Sequence, residues 1–185
     1  MDKIIIVKNR NYYRKRIEFI LLKLDLLNSS ILDLGCGEML LKKIIERFSP
    51  LKYTGIDQFK FAEDVDFIQT DILEYGKNLK NQFDFIFCLG VLDHLTADQS
   101  KFLIDNYKLS FKKMMIISHS NFNNPFLKFF GKANSQEYIH ELNIVDRMYL
   151  IKLPLTQILF KLPSGSYLSK ILATEIIYFC YHLQK

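Results

Sequence analysis

The most restrictive feature of this chain is Ile31-Leu32-Asp33-Leu34-Gly35-Cys36-Gly37, a short apolar run that breaks into two closely spaced glycines. Leu40, Leu41, Ile44, Ile45 and Phe48 then follow at a helical period up to Pro50. The run reads as a strand, the glycines as a turn and the periodic segment as a helix. Glycine at such a turn lets the backbone approach a ligand where a Cβ would intrude. Few folds place that turn other than at the carboxyl end of a sheet covered by helices.

The segments that follow repeat the pattern. Tyr53 to Ile56 reads as a strand ending in Asp57, Asp66 to Thr70 as one ending in Asp71, and Phe83 to Leu89 is almost wholly apolar, as a parallel strand buried on both faces must be. Thr96, with Gln99 three residues on, opens a helix through a capping box, and Leu103, Tyr107 and Phe111 line one of its faces. Met114 to Ser118 is a fifth strand. Residues 12 to 27 carry Ile17, Ile20, Leu21, Leu24 and Leu27 at helical spacing. The alternation of strand and helix argues for a doubly wound α/β sheet with ligands at the strand carboxyl ends. Farther on, a short helix is expected around 125–130, a strand near 144–150 and a last strand over 175–181, with no separate domain or linker.

Composition narrows the classes. At 185 residues, 49% apolar and 24% charged, the chain has the balance of one globular domain, which excludes disordered, collagen-like and repeat-array proteins. Cys36, Cys88 and Cys180 are too few and too scattered for a disulfide framework, and no spacing suggests a metal site. A cytoplasmic location is expected, and neither a signal peptide nor a membrane span is read. The net charge of +5 equals that of the first sixteen residues alone, where Lys3, Lys8, Arg10, Arg14, Lys15 and Arg16 face one acid, Asp2. Residues 17–105 sum to −6 and residues 106–185 to +6. The basic arm fits either a solvated helix or a contact with nucleic acid.

Three acids and glycines at strand ends describe a nucleoside-shaped site. Asp57 follows Gly37 by 20 residues, the spacing of an acid that accepts from ribose hydroxyls in a βαβ nucleotide site. Asp71 is suited to accept from an adenine amino group, with Ile72 beside it to cover the base. Ile31 through Glu38, Tyr53-Thr54-Gly55-Ile56-Asp57, Thr70-Asp71-Ile72-Leu73 and Phe83 through Leu95 resemble the successive motifs of class I S-adenosylmethionine-dependent methyltransferases. Within that superfamily they are most similar to the small-molecule branch that includes ubiquinone and menaquinone biosynthesis enzymes.

The resemblance implies a three-layer αβα Rossmann-like methyltransferase fold over residues 1–185. Its sheet would be mostly parallel and seven-stranded with an antiparallel last strand, and the helix between strands 2 and 3 would be shortened. Residues 1–30 would be a basic arm and helix, 31–120 the cofactor half and 121–185 the substrate half. The cofactor implied is S-adenosylmethionine, with S-adenosylhomocysteine as product. Gly35, Cys36 and Gly37 would cradle its methionine and ribose part, anchored by Asp33. Asp57 would hold the ribose hydroxyls, Gln58 would lie next to the adenine, and Asp71 with Ile72 would hold the adenine edge. Leu89 and Gly90 would lie against the methionine moiety, and Tyr13 and Arg16 would close over the cofactor carboxylate. The chain departs from the pattern at Met39, which stands where the first motif usually has a third glycine.

The implied reaction is methyl transfer to an oxygen or nitrogen of a small molecule, which needs an aligned nucleophile and, for a hydroxyl, a base. His94 after the fourth strand and His119 after the fifth are the candidate bases, while His140 and His182 lie farther from the expected cleft. Proximity alone would serve an acidic phenol or a carboxylate. Asp93 would orient His94 or face solvent, and Ser120 and Asn121 would bond a polar substrate. Cys88 reads as a small buried hydrophobe. Phe122, Phe126, Phe129 and Phe130 read as packing or as an apolar lid rimmed by Lys128 and Lys132, and the basic last part favours an anionic or aromatic substrate. Two other readings are a methyltransferase acting on RNA or protein through the basic arm, and a catalytically silent partner subunit. A monomer or a homodimer is expected.

Overall fold

The computed structural model describes residues 3–7, 11–61, 63–77, 79, 83–121, 139, 142–152, 170 and 173–181. In chain order the elements are β1 (Lys3–Val7), α1 (Tyr12–Leu21), β2 (Ser30–Leu34), α2 (Leu40–Ile45), β3 (Lys52–Asp57), β4 (Phe67–Gln69) and α3 (Ile72–Gly76). They continue with β5 (Phe83–Leu89), α4 (Ala97–Tyr107), β6 (Phe111–Ser120), β7 (Asn143–Lys152) and β8 (Glu175–Tyr181). Single 3-10 turns extend α2 over Glu46–Phe48 and bridge β5 to α4 over Leu92–His94.

The strands form one sheet in the order β1-β7-β8-β6-β5-β2-β3-β4, in which β8 alone runs antiparallel to its two neighbours. Period-two alternation divides its faces. Along β5, Phe85 and Phe87 join Ile31 of β2 and Ile17, Ile20, Ile44 and Ile45 of α1 and α2 in one core. Ile86 and Cys88 turn the other way, to Leu32 and Leu34 of β2 and to Leu103, Ile104 and Tyr107 of α4. Ile31, Leu32, Leu34, Ile86, Phe87 and Cys88 are fully buried, each aliphatic or aromatic side chain among them contributing about 1.5–3 kcal/mol. Two helical layers with a mostly parallel sheet between them are the expected αβα sandwich.

Local chemistry accounts for the element ends. Thr96 Oγ1 accepts from Gln99 N while Gln99 Oε1 accepts from Thr96 N, the expected capping box. Met39, in place of the missing glycine, adopts φ +56° ahead of α2 and is almost completely buried among the side chains of the first core. The helix between the second and third motif strands is gone among the described residues. In its place Lys42 on α2 pairs with Asp64 at 2.6 Å and Asp66 at 2.8 Å, which fastens the loop before the edge strand β4.

Three expectations need correction. The sheet has an eighth strand, because Lys3–Val7, read as part of a basic arm, pairs in parallel with β7 from Lys3↔Met148 to Val7↔Lys152. Its four-residue apolar run, Ile4 to Val7, flanked by lysines, is itself a strand signal. The first helix ends at Leu21 rather than 27, since Lys23 N and Leu24 N tighten onto Ile20 O and Leu21 O and Asp25 Oδ1 then accepts from Leu27 N to turn the chain. The fifth motif strand is longer than read, ten residues from Phe111 to Ser120. The helix expected around 125–130, with Phe122, Phe126, Phe129, Phe130, Lys128 and Lys132, lies outside the described residues, as do His140 and His182.

Candidate functional site

At the carboxyl end of the sheet β2 ends in the turn the two glycines predict. Gly35 N and Cys36 N both donate to Ile56 O of β3, at 2.8 and 3.0 Å, so the turn folds back across the neighbouring strand. Gly35 has φ +68°, and a Cβ there would come within 2.6 Å of Val91 Cγ2. Only glycine fits that position without displacing Val91. Asp57, at the end of β3 and almost buried, fixes the turn from the side. Its Oδ2 accepts from Gly37 N at 3.1 Å and its Oδ1 from Phe59 N at 3.0 Å. A carboxylate has about four acceptor positions, so these two bonds leave acceptor capacity on both oxygens.

The turn borders a cavity of about 840 Å³, within the range of small-molecule sites. From the strands that carry the motifs, Gly35, Asp57, Gln58, Asp71, Ile72, Leu89 and Gly90 line it, and from α1 so do Tyr13 and Arg16. Asp71 has a second duty there, since its Oδ1 accepts from Leu73 N at 2.7 Å as the N-cap of α3. Asp33, Cys36, Gly37 and His119 are the predicted residues that do not line the cavity. Asp33 sits beneath the turn, accepting from Tyr53 Oη at 2.6 Å. Burial pushes its carboxyl up to about 7, opposed by the Tyr53 bond and by the Arg16 charge and assisted by Asp57. Cys36, its thiol pushed up to about 12 by burial, packs over Gly55, and burial likewise raises the Cys88 thiol.

The candidate bases separate. His94 lines the cavity from the 3-10 turn after β5. His119 is fully buried in β6, stacked on Tyr178 with its Nδ1 2.6 Å from Ser120 O, and burial lowers its pKa. Asp93 neither orients His94 nor simply faces solvent: its carboxylate accepts from Ser120 N at 3.0 and 3.2 Å and from Ser120 Oγ at 3.0 Å. Asn121 is buried, its side chain donating to the carbonyls of Lys170 and Ala173, which makes it a clamp on the chain before β8 rather than a substrate contact.

The opposite wall comes from parts of the chain the motifs do not mark. Glu175, at the head of β8, bonds Arg16 Nη1 at 2.7 Å through one oxygen and accepts from Tyr12 Oη through the other. Arg16 Nη1 also lies 3.4 Å from Ser118 Oγ, and its guanidinium stands over the Tyr13 ring at 5.2 Å. Both partners of the ion pair are nine-tenths buried, and Arg16 Nε has no hydrogen-bond partner among the described residues. Burial beside Glu175 drives the Tyr12 phenol far up, so it stays a donor. Glu175, Thr174, Tyr12, Phe59 and Phe61 all line the cavity and were not read from the sequence. For Glu175 a signal existed: it is one of only four acids after residue 105 and opens an otherwise apolar strand.

Known proteins agree with this geometry. Residues 32–109 match the model of a methyltransferase domain family. The ubiquinone biosynthesis O-methyltransferases of Escherichia coli O127:H6 and Citrobacter koseri are each 26% identical over 86 residues, covering 40% of this chain and 36% of theirs. The match thus spans about a third of the length of those relatives. An S-adenosylmethionine-dependent methyltransferase from Archaeoglobus fulgidus superposes with a TM-score of 0.74 at 16% identity, over 94% of each chain. The N-methyltransferase NodS from Bradyrhizobium japonicum WM9 does so at 0.63 and 17%, over 95% of this chain and 98% of its own. Magnesium protoporphyrin IX methyltransferase from Synechocystis PCC 6803, solved with bound S-adenosylmethionine, gives 0.61 and 13%, over 93% and 78%. The fold is that of the class I methyltransferases, as the motifs led one to expect.

Proposed function

We propose that this chain, with a methyltransferase domain match over residues 32–109 and the fold of S-adenosylmethionine-dependent methyltransferases, transfers a methyl group from that cofactor to an O or N atom of a small molecule. The observation that carries the reading is Asp57, fixed by Gly37 N and Phe59 N with acceptor capacity to spare, at the rim of an 840 Å³ cavity beside the Gly35 turn. The residues fit the cofactor: a carboxylate for ribose hydroxyls, a turn closely packed because it lacks a Cβ, and an unpartnered buried donor, Arg16 Nε, for a carboxylate. When bound, the cofactor supplies a methyl group activated by its sulfonium.

The chain's own residues then divide the work. Asp57 binds the ribose hydroxyls, and Asp71 and Ile72 hold the adenine edge, with Gln58 alongside. Leu89 and Gly90 form the floor under the methionine part, and Arg16 Nε, backed by Tyr13, takes the carboxylate. Asp33, Cys36 and Gly37 support these contacts from below the turn instead of lining the cavity. His94 is the histidine that reaches the cavity and takes the acceptor's proton, which leaves His119 a packing role against Tyr178.

Calorimetric titration of S-adenosylhomocysteine into the wild type and Asp57→Ala tests the reading. Micromolar binding to the wild type that weakens at least about a hundredfold in the variant is expected, since a charged acceptor for two hydroxyls and the clamp on Gly37 go together. Failure of the folded wild type to bind would overturn it.

A further inference from the structure

The cavity has two chemically different walls, and resting on the reading above, the nucleoside wall is spoken for by Asp57 and Asp71. The acceptor must therefore meet the other wall, built by Tyr12 and Arg16 of α1, Asp93 and His94 after β5, Ser120 of β6, and Thr174 and Glu175 at the head of β8. Ser120 joins its two acids, since it is the register partner of Glu175 across β6 and β8 and gives both its amide and its hydroxyl to Asp93.

The charges on this wall do not cancel. Arg16 is committed to Glu175, leaving only its Nε for a ligand acceptor. Every partner of the Asp93 carboxylate is a neutral donor, and no cation among the described residues pairs with it. Across the described lining there are four carboxylates, Asp57, Asp71, Asp93 and Glu175, against one guanidinium. Such a site attracts a cation or a donor group and repels an anion, and a cleft with low-dielectric walls strengthens both effects. This is opposite to the anionic acceptor that the basic residues 106–185 suggest.

We propose that the methyl acceptor is an amine, and that Asp93 selects it by taking a hydrogen bond from its nitrogen, with the Tyr12-held Glu175 adding to the negative field. An amine enters as a donor and, when protonated, as a cation, and it finds in Asp93 a carboxylate whose orientation Ser120 has already fixed. A carboxylate or phosphate acceptor of the same size meets the same group as a repulsion. The nitrogen also lies beside His94, which is placed to relieve it of its proton.

The test uses the full chain and two probes of matched shape, benzylamine and benzoate, titrated by NMR or calorimetry with S-adenosylhomocysteine present. The S-adenosylhomocysteine titration comes first and judges the methyltransferase reading; its absence from the folded protein overturns that reading and the acceptor assignment with it. If it binds, benzylamine is expected to bind at least about tenfold more tightly than benzoate, and Asp93→Asn to erase that preference while leaving S-adenosylhomocysteine affinity unchanged. Asp98→Asn, which removes the same charge from the first turn of α4 outside the cavity lining, is expected to keep the preference. Equal binding of the two probes, binding of neither, or an equal loss in both variants would overturn the proposal.

Discussion

The two walls of the cavity are made in different ways. The nucleoside wall is local: Gly35, Asp57 and Asp71 each stand where a strand ends, and Asp57 bonds an amide 20 residues before it. The opposite wall is assembled across the whole chain, with Tyr12 bonding Glu175 across 163 residues and Arg16 across 159. One wall exists as soon as neighbouring parallel strands pair, whereas the other requires α1 to dock against β8, which reaches its place only after every other strand has been made. The local wall can therefore be general to a fold while the assembled wall is free to differ between proteins that share it.

The largest expected effect comes from taking the assembled wall apart. Glu175→Ala leaves the Arg16 guanidinium and Tyr12 hydroxyl buried without their acceptor, and breaking a buried pair from one side costs about 3–5 kcal/mol. Urea unfolding of the variant is expected to show a loss of that size, with Glu175→Gln losing less because an amide oxygen still accepts from one donor. A loss below about 1 kcal/mol would mean that water reaches the pair and that the two walls are not built differently after all.

This contrast also explains what could be read from the sequence. β5 and β8 were legible to the residue and the α4 capping box to its partners, because apolar runs and caps are local signals. Gly35, Asp57 and Asp71 were legible because a glycine turn and an acid at a strand end have chemical meaning by position alone. Glu175 and Tyr12 were not, since nothing within a few residues of either says what lies across the sheet. His119 was misleading for a related reason: strand periodicity set its face, and that face turned it under Tyr178. The basic count at the start of the chain carried least, as its first residues are an edge strand in the sheet.

A smaller effect is expected on the local wall from Gly35→Ala. The new methyl must share space with Val91 Cγ2, 2.6 Å away, while the backbone holds φ +68°. The strain costs about 2 kcal/mol. Because Val91 also lines the cavity, its displacement is expected to weaken S-adenosylhomocysteine roughly tenfold as well. Thermal unfolding and calorimetry on the same sample separate the two; a stability loss with unchanged affinity would show that the turn supports the strand without shaping the cavity.

The finest test asks whether the local wall is rigid beneath its surface, where Asp33 links Tyr53 to the turn. Its folded pKa of about 7 lies above the model value of 3.8, so between those values the folded chain holds a proton that the unfolded chain has lost. The stability this proton confers is complete below pH 3.8, drains away as the pH rises, and is gone above about 7. Between pH 6 and 7 the slope amounts to roughly 1 kcal/mol. Asp33→Asn holds no titrating group and keeps an acceptor for Tyr53, so its stability is expected to change less than the wild type's across that step. His119, whose lowered pKa makes stability fall toward acid, contributes equally to both proteins and cancels in the difference. Urea midpoints at pH 6 and 7 for the pair therefore isolate Asp33. Parallel changes in the two would place Asp33 in contact with water, and the turn above it would then be a surface loop rather than a wall founded in the core.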